Sequence, residues 1–218
     1  MADLPVVLCY GDSNTHGADP ATGDRFPRGV RWPGVLAGLL DGEACVIEEG
    51  LNGRTTMRDD PYSPGRNGLA YLVPCLDSHA PVDVVVIMLG TNDLKATFSL
   101  GASDIAAGAA TLVDTVLRSQ GGPHGGPPKV LLVAPPALGA PNEVMEIWGF
   151  AGANERNGAL PRLYRAAAAD AGAAFLDASA VVTADPADGI HLSAGAHQTL
   201  AHAIAGAVRP LLPGSWPG

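Results

Sequence analysis

Basic residues are scarce in this chain: 13 Lys and Arg stand against 22 Asp and Glu, a net charge of −9 at pH 7. Such a surface repels a phosphate backbone, which excludes nucleic acid as a partner. Cysteine is scarce too. Cys9, Cys45 and Cys75 are odd in number, share no C-x-x-C spacing and sit among apolar neighbours, so buried free thiols are expected. The longest apolar run, Val84–Leu89, falls far short of a bilayer span, and no membrane association is expected. No basic region precedes Val6-Val7-Leu8, so no secretory leader is visible and a cytoplasmic protein is expected. No histidine combines with Asp, Glu or Cys at a metal-binding spacing, so no metal is expected. Gly11 and Gly17 lack the middle glycine of a dinucleotide fingerprint, and no G-x-x-x-x-G-K-[ST] occurs. No cofactor is therefore expected.

What is present is enough apolar material for a sizeable core: 47% of 218 residues are hydrophobic, which excludes disorder. No linker or repeat interrupts the chain, so residues 1–218 are read as one domain. Pro5–Tyr10, Ala44–Glu48, Val82–Leu89, Lys129–Ala134 and Ala173–Leu176 are short, β-branched and bounded by Gly, Pro or Asp. They lack the alternation of a half-exposed strand, which fits strands covered on both faces. Helical patterns lie between them. In the third, Ser103 is the expected cap and Ile105, Ala109, Leu112, Val113 and Val116 form one face. In the last, Ser193 is the cap, Leu200, Ile204 and Val208 repeat at four residues, and Pro210 stops the helix. Strands alternating with helices predict an α/β fold, a three-layer α/β/α flavodoxin-like arrangement with five parallel strands in the order 2-1-3-4-5. The segment 135–152 is too long for an ordinary loop and is expected to be a lid or a partner surface.

In an open parallel sheet, ligands bind beyond the carboxyl ends of the strands. Strand 1 runs into GDSNTHG (Gly11–Gly17), strand 2 towards Asn52-Gly53-Arg54, strand 3 into GTND (Gly90–Asp93), and strand 5 is followed by DGIH (Asp188–His191). A serine hydroxyl is a poor nucleophile until a base takes its proton. Ser13 is the candidate hydroxyl, His191 the candidate base and Asp188 the carboxylate that orients it, since a tight turn brings residues three apart side by side. The backbone N–H groups of Ser13 and Gly53 and the side-chain amide of Asn92 are candidate donors to a developing oxyanion. Each piece alone is commonplace, a helix cap, a surface turn or a turn glycine. Their joint placement at strand ends is what points to acyl chemistry. The absence of G-x-S-x-G argues against the α/β-hydrolase fold.

GDSNTHG, the glycine of LNGRTT, GTND and DGIH resemble blocks I, II, III and V of the SGNH (GDSL-type) hydrolases, named for residues standing here as Ser13, Gly53, Asn92 and His191. VIEEGLNGRTT, RWPGVLAGLL, YLVPCLDSHAP and VVVIMLGTNDLKATF are similar to the perhydrolase and arylesterase branch of that superfamily. The resemblance implies ester hydrolysis through an acyl-enzyme on Ser13, with acyl transfer to alcohols or peroxide. It also implies a homo-oligomer around a restricted apolar channel. Two positions depart from that branch: His16 replaces a bulky aromatic, and Gly53 stands where some relatives have alanine.

Asp12, His16, Asn52, Phe150 and Ile190 are the candidate substrate-binding residues. Asp12 has a competing role, accepting N–H bonds within its turn. Lys95 is read as solvated, as are His79 and His124, while His197 and His202 are expected to pack or cap. Trp148 and Phe150 fit a substrate wall or a subunit contact equally. A small acyl ester and an alcohol acceptor are the expected partners. The rival substrate class is an acetylated sugar, suggested by Asn14, His16 and Asn52 around Ser13. A silent ester-binding module is the reading from outside enzymology, opposed by the intact Ser13, Asp188 and His191.

Overall fold

The computed structural model describes residues 4–214, so the chain start at Met1–Asp3 lies outside the described residues. Five strands form one sheet: β1 (Val6–Gly11), β2 (Cys45–Gly50), β3 (Val84–Met88), β4 (Lys129–Ala134) and β5 (Ala174–Asp177). Their order is β2-β1-β3-β4-β5 and every pairing is parallel, as the sequence pattern predicts. Seven helices accompany them: α1 (Ser13–His16), α2 (Trp32–Leu39), α3 (Gly68–His79), α4 (Ala102–Leu117), α5 (Glu143–Ile147), α6 (Ala153–Ala171) and α7 (Ala194–Val208). Among the described residues, no helix is long and apolar enough to cross a membrane.

The absence of alternation in the strands has its physical cause in two separate cores. Leu8, Tyr10, Val85, Ile87 and Leu132 point to one face, where they meet Leu72, Leu112, Leu160 and Tyr164. Val7, Cys9, Val86, Leu131 and Val133 point to the other, against Trp32, Leu36, Leu200 and Ile204. Each such buried aliphatic side chain contributes about 1.5–3 kcal/mol. A strand between two such layers has no solvent side on which to place polar residues.

Four expectations are corrected. Helix α4 starts at Ala102 rather than being capped by Ser103, because Asp104 Oδ2 reaches back to accept the Gly101 N–H at 2.9 Å. Ser103 is exposed in the first turn. Cys45 is exposed, while Cys9 and Cys75 are buried. His79 is not free in solvent: its ring lies 2.9 Å from the Glu49 carboxylate. His202, expected to pack or cap, is exposed; the other assignments stand, with Ser193 capping α7 by accepting from Ala196 N, His124 exposed and His197 buried. Segment 135–152 carries α5 and runs across the carboxyl end of the sheet, with Met145 and Phe150 buried and Ile147 and Trp148 exposed.

Candidate active site

The end of β1 is a one-turn helix start. Asp12 caps α1, its Oδ1 accepting the Asn14 N–H at 3.0 Å, and Ser13 is the first helical residue. Loop 188–192 comes to it from the far end of the chain. His191 Nε2 lies 2.9 Å from Ser13 Oγ, and His191 Nδ1 lies 2.6 Å from Asp188 Oδ2. Asp188 Oδ1 accepts the N–H groups of Ile190 and His191, both at 2.8 Å, so this carboxylate cannot rotate away from the ring. Asn14 clamps the two loops together: Nδ2 donates to Ile190 O at 3.1 Å, and Oδ1 accepts from Leu192 N at 3.1 Å.

Burial of Asp188 pushes its pKa up, but hydrogen bonds from the His191 ring, from the His191 N–H and from the Ile190 N–H outweigh it and hold the group below its ordinary value. Asp188 is thus a carboxylate beside an imidazole that can lend its other nitrogen to a hydroxyl. Such a row can withdraw the Ser13 proton and hold the imidazolium that results.

The second and third strand ends meet beside Ser13. Gly53 has φ of +78°, the left-handed region where a side chain is strained, which suits glycine at this turn. Asn92 Nδ2 donates to Arg54 O at 3.1 Å, fixing the amide against the loop that carries Gly53. Asp93 holds the same loop from below, accepting the Thr56 N–H at 2.9 Å and its hydroxyl at 2.5 Å. Burial raises the pKa of Asp93, with the Thr56 hydrogen bonds opposing. Arg54 Nη1 donates to Gly11 O at 2.9 Å and to Glu49 O, with its guanidinium 4.2 Å above the Tyr10 ring. Among the described residues, the N–H groups of Ser13 and Gly53 have no backbone partner.

These groups border a cavity of about 540 Å³, lined by Ser13, Gly53, Asn92, Asp188 and His191. Of the expected binding residues, Asn52, Phe150 and Ile190 lie in its wall. Asp12 and His16 do not. Asp12 is buried beneath the turn, where desolvation pushes its pKa up to about 6 against the opposing hydrogen bond from Asn14. His16 is half-buried, its backbone packed against Gly50 at the end of β2; burial and then Arg25 lower its pKa. Asn14, taken as a polar surface for sugars, is committed to the loop clamp instead.

Two wall residues were read otherwise or left open. Lys95, expected in solvent, is half-buried in the wall with Nζ 5.9 Å from the Phe150 ring centroid. Trp148 meets the His191 ring edge-on, 5.8 Å between centroids. Asp19 and Pro20, soon after the Ser13 turn, add a wall not foreseen. Proximity to GTND and to the Ser13 turn was the only sequence signal for Lys95 and Asp19. No three potential metal ligands converge at this cavity among the described residues.

The profile of the GDSL-like lipase/acylhydrolase family matches residues 9–199. The native aryl esterase of M. smegmatis superposes with a TM-score of 0.90 at 44% identity, covering 95% of this chain and 100% of that one. Est24, a carbohydrate acetylesterase from Sinorhizobium meliloti, gives 0.91 at 42% identity, with 95% and 100% covered. A carbohydrate acetylesterase family member from the same organism gives 0.91 at 38%, with 96% and 99% covered. No curated protein sequence matches the chain.

Proposed function

The chain belongs to the GDSL-like lipase/acylhydrolase family and is a carboxylic-ester hydrolase, and from that premise we propose that it works through an acyl-enzyme on Ser13 and passes the acyl group to alcohols as well as to water. The observation that carries this reading is the unbroken row Asp188–His191–Ser13, at 2.6 and 2.9 Å, opening on the cavity.

In the first half-reaction Ser13 Oγ attacks the ester carbonyl while His191 Nε2 takes its proton. Asp188 keeps Nδ1 protonated and stabilises the imidazolium. The carbonyl oxygen, now an anion, is received by the Ser13 and Gly53 N–H groups and by Asn92 Nδ2, each donor worth about 10²–10³ in rate. The intermediate collapses, the C–O bond to the alcohol breaks, and His191 returns the proton to the leaving oxygen. In the second half-reaction water or an alcohol attacks the acyl-Ser13, again giving its proton to His191.

Water is in great excess, so transfer to an alcohol requires a wall that binds the alcohol and sheds water. Trp148, Phe150, Val144 and Ile190 supply apolar surface of that kind. The withdrawal of Asn14 and His16 from the cavity favours alkyl or aryl acyl acceptors over sugars. Asn52 and Thr22 remain in the wall, and the likeness to Est24 keeps acetylated sugars as the second reading. Ile147, 72% exposed beside Trp148, supports assembly of copies around the cavity mouth; light scattering tests that.

Turnover of p-nitrophenyl acetate by wild type and Ser13→Ala, with and without benzyl alcohol, is the experiment. Loss of turnover in Ser13→Ala and benzyl acetate outpacing free acetate are expected. Free acetate alone refutes transfer, and higher kcat/KM on acetylated xylo-oligosaccharides than on aryl acetates selects the sugar reading. Full activity in Ser13→Ala overturns the mechanism.

A further inference from the structure

One group of side chains outside the cavity takes no part in ester hydrolysis. Glu49 lies near the end of edge strand β2, in register with Tyr10, whose side chain faces the α3 core. Helix α3 presents Tyr71, Cys75 and His79 at four-residue intervals, the spacing that stacks side chains along one helical face. All three converge on the Glu49 carboxylate. His79 Nε2 is 2.9 Å from Glu49 Oε1, and Tyr71 borders one cavity with Glu49. A Glu49 oxygen, Cys75 Sγ and a His79 ring nitrogen all lie within 4.8 Å of one another.

From this geometry we propose that Glu49, Cys75 and His79 form a binding site for a zinc-class divalent cation. The donor set selects the ion: calcium and magnesium take oxygen ligands, whereas sulfur, imidazole and carboxylate together suit zinc or cobalt(II). Three protein ligands leave the fourth tetrahedral position to water. Ligand atoms around such an ion are about 3.4–3.7 Å apart, from metal distances of ~2.1 Å to N and O and ~2.3 Å to S. The His79–Glu49 contact therefore opens by under about 1 Å and the widest separation closes by about the same, within reach of side-chain rotation.

Glu49 and His79 side chains are 19% and 28% exposed, so an ion reaches them from solvent. A cavity of about 480 Å³ lined by Glu49, Asp59 and Tyr71 adjoins them. As the sulfur–metal bond forms, the Cys75 S–H bond breaks and its proton leaves to water. The thiolate and the Glu49 carboxylate then neutralise the divalent charge. Arg54 is the opposing group: its guanidinium, stacked on Tyr10 and Tyr71, repels the cation. Asp59 in the cavity wall offsets part of that repulsion. The ion ties edge strand β2 to α3, a stabilising role; ester hydrolysis proceeds without it, so this site stands or falls independently of Ser13.

The test is titration of the metal-free, full-length protein with cobalt(II), followed by absorption spectroscopy. A thiolate-to-cobalt charge-transfer band saturating at one ion per chain is expected, bleached by zinc, retained in Cys45→Ser and lost in Cys75→Ser and His79→Gln. Zinc should raise the Tm of wild type and of Cys45→Ser and leave that of His79→Gln unchanged. Turnover of p-nitrophenyl acetate certifies that each variant is folded, and His79→Gln decides the matter if Cys75→Ser does not fold. No charge-transfer band in active wild type, or a band that survives in Cys75→Ser or His79→Gln, overturns the proposal.

Discussion

Replacing Asp188 by Asn changes one atom and should silence the enzyme, for a reason visible in the hydrogen bonds. Asp188 Oδ1 accepts two N–H groups, from Ile190 and His191, each at 2.8 Å. An amide nitrogen in that place would set donors against donors, leaving both backbone groups unpaired at about 1–3 kcal/mol each. The Asn oxygen therefore stays where Oδ1 is, and its NH₂ faces His191 Nδ1, where Oδ2 now sits 2.6 Å away. Facing a donor, Nδ1 must give up its proton and become an acceptor. The remaining proton goes to Nε2, which then donates towards Ser13 Oγ and cannot accept from it.

A wrong tautomer of this kind costs about 10⁴ in kcat, or about 5 kcal/mol of transition-state stabilisation. The fold should survive, because every backbone bond to residue 188 is kept. The assay is steady-state hydrolysis of p-nitrophenyl acetate beside Ser13→Ala, with nitrogen NMR of the labelled histidine to read the tautomer. Wild type should show the proton on Nδ1 and Asp188→Asn on Nε2. A variant within tenfold of wild type, or one whose His191 keeps its Nδ1 proton, refutes the reasoning.

Asn92→Ala should lower kcat by about 10²–10³ with little change in KM; a loss below tenfold in a folded variant removes Asn92 from the oxyanion donors. Gly50→Ala should destabilise the protein by about 1–3 kcal/mol or more, since its Cβ would stand 2.1 Å from His16 N and 2.5 Å from Thr15 C, backbone atoms of the helix that carries Ser13. A Tm equal to that of wild type would show that contact to be slack. Lys95 is a half-buried cation in the cavity wall, and its charge should favour an anionic acyl chain by about 1 kcal/mol. Lys95→Met should then lower the kcat/KM ratio of p-nitrophenyl hemisuccinate to butyrate by about fivefold, and an unchanged ratio denies Lys95 that influence. Asp12, at about 6 when folded and about 3.9 when unfolded, keeps its proton in the native state where the unfolded chain has lost it. Its contribution is fully present below pH ~4 and is lost as pH rises through ~6, a change of about 3 kcal/mol. Asp12→Asn should flatten that part of the denaturant-stability profile between pH 4 and 7, and an identical slope would refute the assignment.

What could be read from the sequence depended on whether one element's own backbone sets the geometry. The strands were legible because burial on both faces leaves continuous β-branched runs such as Val84–Met88, and parallel pairing with right-handed crossovers admits few orders. Ser13 and Asn92 follow strand ends directly, and Asp188 and His191 share one turn, so their convergence follows from the sheet. Lys95 and Trp148 obey no such rule. Lys95 reaches the cavity because the next residue, Ala96, donates its N–H to Gly149 O at 2.8 Å, which fastens two loops from different crossovers. His16 misled for the converse reason: it lies three residues from Ser13, yet it packs against Gly50, on β2, outside the cavity wall. Cys75 and His79 show the same boundary within one cluster. Their four-residue spacing is written in α3, but their third partner, Glu49, comes from a strand far away in sequence that pairing with β1 sets in place. A pattern search along the chain therefore finds two of the three ligands and discards them, because two ligands one helical turn apart acquire meaning only when the sheet brings the carboxylate to them.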